Sequence, residues 1–258
     1  MRGSVTNGEL NSFETVNSRT VPEFTQKRMA VAQALLRLST NIKSTEITQM
    51  SASDLKLLFE LYDQTFFGGY FRDHFKGTVK FSLSSRLTKS AGKTICPKNI
   101  GKLPPEKVVI EIRIGTSFFL KYNAIDTNKE VCGLPTNNAL EALLLVFEHE
   151  LCHLIEFITY HHSSCSNRRF RTIAANLFGH TGRYHKLPTR QAIVQANYGL
   201  KIGDQVAFNY HNQTRSGILY RINQRATVMV PDRNGVYIDQ AGKRYTKFYV
   251  PVKYLKRL

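Results

Sequence analysis

The sequence predicts an α+β fold in two parts, a helical part with a small antiparallel sheet followed by a small all-β barrel. Three observations predict it. Long stretches before residue 195 carry apolar residues at helical spacing. Two short stretches, Val79–Leu83 and Val108–Ile114, alternate with period two. From Lys201 onward short strands are broken by Asn, Gly and Asp turns.

In chain order, residues 1–22 are rich in Ser, Thr and Asn with few apolar side chains, which predicts a flexible leader. Phe24–Leu38 places Met29, Ala32, Leu35, Leu36 and Leu38 near helical spacing, and a second helix follows from Ser53 through Leu55, Leu58, Leu61 and Tyr62. Gly68 and Gly69 end it, because consecutive glycines supply a cap and a turn. In the second alternating stretch Val108, Ile110, Ile112 and Ile114 share one face against Val109, Glu111 and Arg113. The Gly- and Pro-rich segment between the two stretches suits turns and one more short strand. Asn138 with Glu141 resembles a capping box ahead of a long helix to Tyr160, and a shorter helix runs from about Asn167 to Phe178, ended by Gly179. The domains expected are therefore 23–195 and, after it, 197–258.

Hydrophobic residues make up 42% of the 258 and charged residues 21%, which excludes a mainly disordered chain. The excess of 36 Lys and Arg over 19 Asp and Glu gives a formal charge of +17, a field that attracts polyanions such as nucleic acid. Cys96, Cys132, Cys152 and Cys165 form no CxxC pair, so a disulfide-stapled secreted domain is not expected and the compartment is read as reducing, cytosolic or nuclear. No window of about twenty apolar residues occurs, so no membrane partner is expected.

His149-Glu150-Leu151-Cys152-His153 is an HExxH motif inside the long helix. Residues four apart lie about 40° apart around a helix, so His149 and His153 can share one Zn²⁺. Glu150 falls on the flank of that metal, where it can act as general base and then general acid. Leu144, Phe147, Leu151, Leu154, Ile155 and Ile158 form an opposite apolar face that would bury and hold the ligands rigid. This is the pattern of a zincin-like metallopeptidase domain. Glu156 and Thr159 stand where HExxHxxGxxH would need Gly and His, which excludes the metzincin class. No Asp or Glu follows Glu156 until Asp204, so a downstream carboxylate ligand is also missing. The third ligand is then sought among His161, His162, Cys165, His180 and His185, and Glu156 is read as an acceptor for a histidine N–H or an ion-pair partner.

Over roughly residues 53–190 the chain resembles the SprT-like family, which includes the Spartan proteases that degrade proteins crosslinked to DNA. The resemblance is carried by Leu57-Leu58-Phe59-Glu60-Leu61-Tyr62, Phe66-Phe67-Gly68-Gly69, the strand near Val79, Ser90-Ala91-Gly92, the strand around Ile110 and the HExxH. It implies a zinc metalloendopeptidase acting on DNA-bound or DNA-crosslinked protein, with sequence-independent DNA and protein substrates as partners. The family's third ligand is a histidine opening the next helix. Here Ser166 occupies that place with Phe170 at the following aromatic position, and a one-residue adjustment ranks Cys165 first and His180 second. The alternative is a non-catalytic nucleic-acid-binding protein whose zinc is structural, which a fourth protein ligand would favour.

Residues 157–203 hold no carboxylate but carry Arg168, Arg169, Arg171, Arg183 and Lys186, a surface suited to backbone phosphates. In 197–258, eleven Lys and Arg face Asp204, Asp232 and Asp239, with Tyr210, Tyr220, Tyr237, Tyr245 and Tyr249 interleaved. Gly203–Phe208 and Gly217–Ile222 resemble the opening and turn-strand of an SH3-like barrel of the KOW or Tudor sort.

Overall fold

Helix α1, Val21–Leu38, opens the part of the chain that the computed structural model describes, residues 21–258. The expected leader at 1–22 lies outside the described residues except for its last two, which begin this helix. Contacts divide the chain into two units after Leu187, so the helix Arg190–Tyr198 goes with the second unit, ahead of the boundary expected near residue 196.

In the first unit, α2 spans Ala52–Phe67 and starts at a reciprocal cap: the Ser51 side chain accepts from the Asp54 amide while the Asp54 carboxylate accepts from the Ser51 amide. It stops at Gly68, whose φ of 64° is left-handed, where glycine carries no Cβ penalty. A short helix α3, Tyr70–His74, leads into the sheet. Strands β1 (Thr78–Ser84), β2 (Gly92–Ile95) and β3 (Val109–Gly115) form a three-stranded sheet in the order β1-β3-β2.

This sheet is mixed and not wholly antiparallel as expected: β1 runs parallel to β3 and only β2 is antiparallel to it. The long connection from Ser84 to Val109 lets the chain return in the same direction, which a tight hairpin cannot do. Ile110, Ile112 and Ile114 are wholly buried, as the alternation predicts. Full burial of each such side chain stabilises the fold by about 1.5–3 kcal/mol.

A five-residue helix α4 (Thr116–Leu120) and the hairpin of β4 (Lys129–Val131) and β5 (Leu134–Thr136) precede α5, Ala139–Tyr160. The Asn138 side chain caps α5 by accepting from the Glu141 amide at 2.9 Å. Leu144, Phe147, Leu151, Leu154 and Ile155 are buried on the face expected to pack. Helix α6, Arg168–Phe178, follows and ends at left-handed Gly179.

Beneath the site, the buried Glu148 carboxylate ties α1, α2 and α5 together. It accepts from Arg28 Nε and Nη2 at 2.8 Å each, from Tyr62 Oη at 2.8 Å and from His180 Nε2 at 2.9 Å. Every oxygen of this buried charge is matched by donors, the condition under which such a group is tolerated.

The second unit consists of α7 (Arg190–Tyr198) and strands β6 (Gln205–Tyr210), β7 (Gln213–Ile222), β8 (Ala226–Pro231), β9 (Tyr237–Ile238), β10 (Arg244–Val250) and β11 (Lys256–Arg257). These form one antiparallel sheet in the order β11-β6-β7-β8-β10-β9, around a core that includes Val206, Phe208, Leu219 and Val228. The barrel expected from the sequence does not close. Its edges, β9 and β11, are two residues long and each pairs with one neighbour only. Among the described residues no helix is long and apolar enough to cross a membrane.

Candidate metal centre

Helix α5 carries both motif histidines on one face, and the loop between α5 and α6 brings a thiol to them. One ligand atom each from His149, His153 and Cys165 lies within 4.8 Å of the others, the only such group among the described residues. The Nε2 atoms of His149 and His153 stand 3.2 Å apart. Two nitrogens held at about 2.0–2.1 Å by one tetrahedral zinc are about 3.3 Å apart, so the pair fits the ion without rearrangement.

Hydrogen bonding fixes which nitrogen of His153 is free. The buried Glu156 carboxylate can only accept, so Ser163 Oγ donates to its Oε2 at 2.6 Å. Ser163 Oγ is thereby left to accept from His153 Nδ1–H, also at 2.6 Å, and Nε2 keeps its lone pair. At His149 the corresponding neighbour of Nδ1 is Cys132 Sγ at 3.5 Å. Burial, reinforced by the neighbouring histidines, pushes His149 down to about 3, and burial pushes His153 down to about 4 against the pull of Glu156. Both rings are therefore neutral at neutral pH, the form that binds a metal. Burial, with the neighbouring Glu148 and Glu150, pushes the Cys132 thiol well up.

Glu156 also organises the segment that delivers Cys165. Its Oε2 accepts from the Ser164 amide at 3.2 Å and its Oε1 from Arg169 Nε at 2.8 Å. Arg169 in turn lies 3.8 Å over the Tyr160 ring and donates to the His162 carbonyl. Of the two sequence readings of Glu156, the ion-pair partner is the one seen; it meets the histidine N–H only through Ser163. Arg169, expected as a phosphate contact, pairs with Glu156 while 31% of its side chain stays exposed.

Glu150 is buried beside the histidines. Thr94 Oγ1 of β2 reaches it twice, at 2.7 Å to Oε2 and 3.0 Å to the backbone carbonyl. Burial raises its carboxyl to about 7, although hydrogen bonds from the Thr94 hydroxyl and backbone pull the other way. A base poised there can both take and return a proton near neutral pH. A cleft of about 560 Å³ opens onto His149, Glu150, His153 and Cys165, with Gly92, Thr94 and Val131 among its walls and Arg183, Tyr184 and His185 along its rim.

The remaining sequence candidates lie elsewhere. His180 Nε2 is bonded to Glu148 and outside the cluster. His185 lines the cleft, but its Nε2 accepts from the Ala91 amide at 3.1 Å. His161 and His162 are exposed at the end of α5. Arg168 and Arg171 are exposed on α6, while Lys186 pairs with Glu130 at 2.8 Å. Thr94, Cys132 and Ser163 were not singled out by the sequence. Only the polar Ser163-Ser164-Cys165-Ser166 run after the helix hinted at Ser163.

The model of the SprT-like family matches residues 55–190. That is more than half of the chain, and the chain belongs to this family, which is associated with zinc-type metallopeptidases. No curated protein and no solved structure matches the chain.

Proposed function

We propose that this member of the SprT-like family is a zinc-dependent metalloendopeptidase acting on DNA-bound or DNA-crosslinked proteins. The observation that carries the reading is the His149, His153 and Cys165 cluster with Glu150 buried beside it on the wall of an open cleft. His149 and His153 would hold the metal through Nε2 and Cys165 through its sulfur. When bound, zinc polarises the scissile carbonyl and acidifies water.

Glu150 accepts a proton from the attacking water and delivers it to the leaving amine, so one carboxylate serves both halves of the reaction. Thr94 holds one of its oxygens and thereby its orientation. Three donors among the described residues, and not four, favour a catalytic over a structural ion.

The DNA part of the reading rests on charge. The chain carries +17, and exposed Arg168 and Arg171 stand on a helix within a stretch, residues 157–203, that contains no Asp or Glu. In the second unit the three carboxylates Asp204, Asp232 and Asp239 each accept hydrogen bonds within their own turns or from neighbouring side chains. Arginines and lysines spread over such a surface hold backbone phosphates without sequence preference.

The deciding experiment is Glu150→Gln. Zinc content should stay at one per chain while cleavage of a DNA-bound protein substrate stops. Cleavage retained by the purified variant would remove Glu150 from the mechanism.

A further inference from the structure

The tight turn between β4 and β5 holds a cysteine in a conformation that cysteine does not favour. Val131 pairs with Leu134, so Cys132 and Gly133 form a two-residue hairpin loop, and their φ values of 52° and 80° are both left-handed. Such loops favour Asn followed by Gly, because these residues tolerate the left-handed region while most side chains meet a steric penalty there.

The neighbouring backbone holds Cys132 in this conformation. Its amide donates to the Tyr184 carbonyl at 2.8 Å, and its carbonyl accepts from the Thr181 and Gly182 amides at 3.0 and 2.8 Å. A Cβ on Gly133 would stand 2.6 Å from the Gly182 nitrogen, so the loop and the segment after α6 lie backbone to backbone. Strained residues persist where their surroundings over-determine them, and they cluster at functional sites.

What the conformation delivers is the thiol. Cys132 is buried in the wall of the cleft, and its Sγ lies 3.5 Å from Nδ1 of His149. Among the described residues that nitrogen has no other hydrogen-bond partner. For a neutral ring to give Nε2 to a metal, its proton has to sit on Nδ1, and an acceptor there fixes the tautomer and the ring angle together. Ser163 Oγ stands at Nδ1 of His153, and Cys132 Sγ takes the same position at His149. A thiol sulfur has lone pairs that accept weakly, with its own S–H turned away.

We propose that Cys132 is a positioning residue for the metal: its sulfur accepts the Nδ1–H of His149 and so keeps Nε2, with its lone pair, aimed at the ion shared with His153 and Cys165. This assignment rests on the metal reading given above and adds to it a residue that is not itself a ligand. It also accounts for a cysteine at a loop position that Asn would fill with less strain, since the side chain there serves the histidine and not the turn.

The test measures the zinc affinity of the full chain by competition with a chromogenic chelator and follows the imidazole N–H signals of the zinc-loaded, isotope-labelled protein. Cys132→Ala should lose about 10–100-fold in affinity, and its His149 Nδ1–H signal, sharp in wild type, should broaden through exchange with water. Cys132→Ser keeps an acceptor of similar size and should stay within about tenfold of wild type with the signal retained. Cys132→Gly separates the acceptor from the turn. Glycine is at ease at a φ of 52°, so a role confined to the turn would leave its affinity at or above that of wild type, whereas loss of the sulfur should weaken it as much as alanine does. Affinity unchanged in Cys132→Ala, affinity kept in Cys132→Gly, or an Nδ1–H signal indifferent to removal of the sulfur would overturn the assignment and leave the metal reading standing. A wild-type chain that takes up no zinc would overturn both.

Discussion

A Cβ placed on Gly92 would stand 2.5 Å from Oε1 of Glu150 and 2.7 Å from its Cγ. The β2 strand thus approaches the Glu150 carboxylate so closely that only glycine fits, while Thr94, two residues on, bonds the same side chain from the same face of the strand. The space in which Glu150 sits is set by β2 as much as by its own helix.

Gly92→Ala should therefore displace Glu150 without touching His149, His153 or Cys165. Displacements of about 1 Å at a reacting group cost on the order of 100-fold in rate. Peptidase turnover should fall by about that factor, with zinc content measured by elemental analysis unchanged. Loss of zinc together with activity would show that the alanine disturbs the whole helix.

Ser163→Ala tests the path from Glu156 to His153. Without the hydroxyl, His153 Nδ1–H loses its acceptor and Glu156 loses one donor. Removing such an outer partner of a metal ligand typically costs about 10–100-fold in metal affinity. Competition with a chromogenic chelator should show a drop in that range. An unchanged affinity would mean that Ser163 only packs the loop.

The helix carrying the motif was legible because its signals are local: the Asn138 cap, the apolar face of Leu144, Phe147, Leu151, Leu154 and Ile155, and the spacing of the two histidines. The pairing of β1 with β3 was not, because alternation tells which face of a strand is buried and says nothing of the direction of its neighbour. Thr94 meets Glu150 across 56 residues, and no pattern along the chain encodes such a meeting.

The partners of individual charges were not legible either: Arg169 belongs to a basic run, and nothing along the chain tells that it lies over the Tyr160 ring and pairs with the buried Glu156. The open second sheet escaped notice because strand spacing predicts a meander equally well whether or not its ends meet.

Glu148→Ala should destabilise the first unit without altering the metal cluster directly. It would leave Arg28 without its counter-charge and His180 Nε2 without its acceptor, and breaking a buried pair in this way costs about 3–5 kcal/mol. For a unit of this size that corresponds to a fall in melting temperature of about 10 °C. A change under about 2 °C in thermal denaturation would show that water compensates the loss.

Cys165→Ala and His180→Ala separate the two candidates that the sequence ranked for the third ligand. Cys165 is the residue whose ligand atom reaches both histidines, so its removal leaves a two-histidine site that a mild chelator should strip. His180 is bonded to Glu148, so His180→Ala should keep zinc at one per chain and show its effect in the melting temperature instead. Cys96→Ala serves as the control, since Cys96 is outside the cluster and its thiol contacts the Pro97 carbonyl. Elemental analysis after dialysis against the chelator should rank the metal retained as wild type, Cys96→Ala and His180→Ala together, with Cys165→Ala far below. If His180→Ala loses the metal and Cys165→Ala keeps it, the ligand set is wrong even though the histidine pair stands. If both keep it, the ion is held without either residue, and another group of the cleft, such as His185 or Cys132, would have to complete the site.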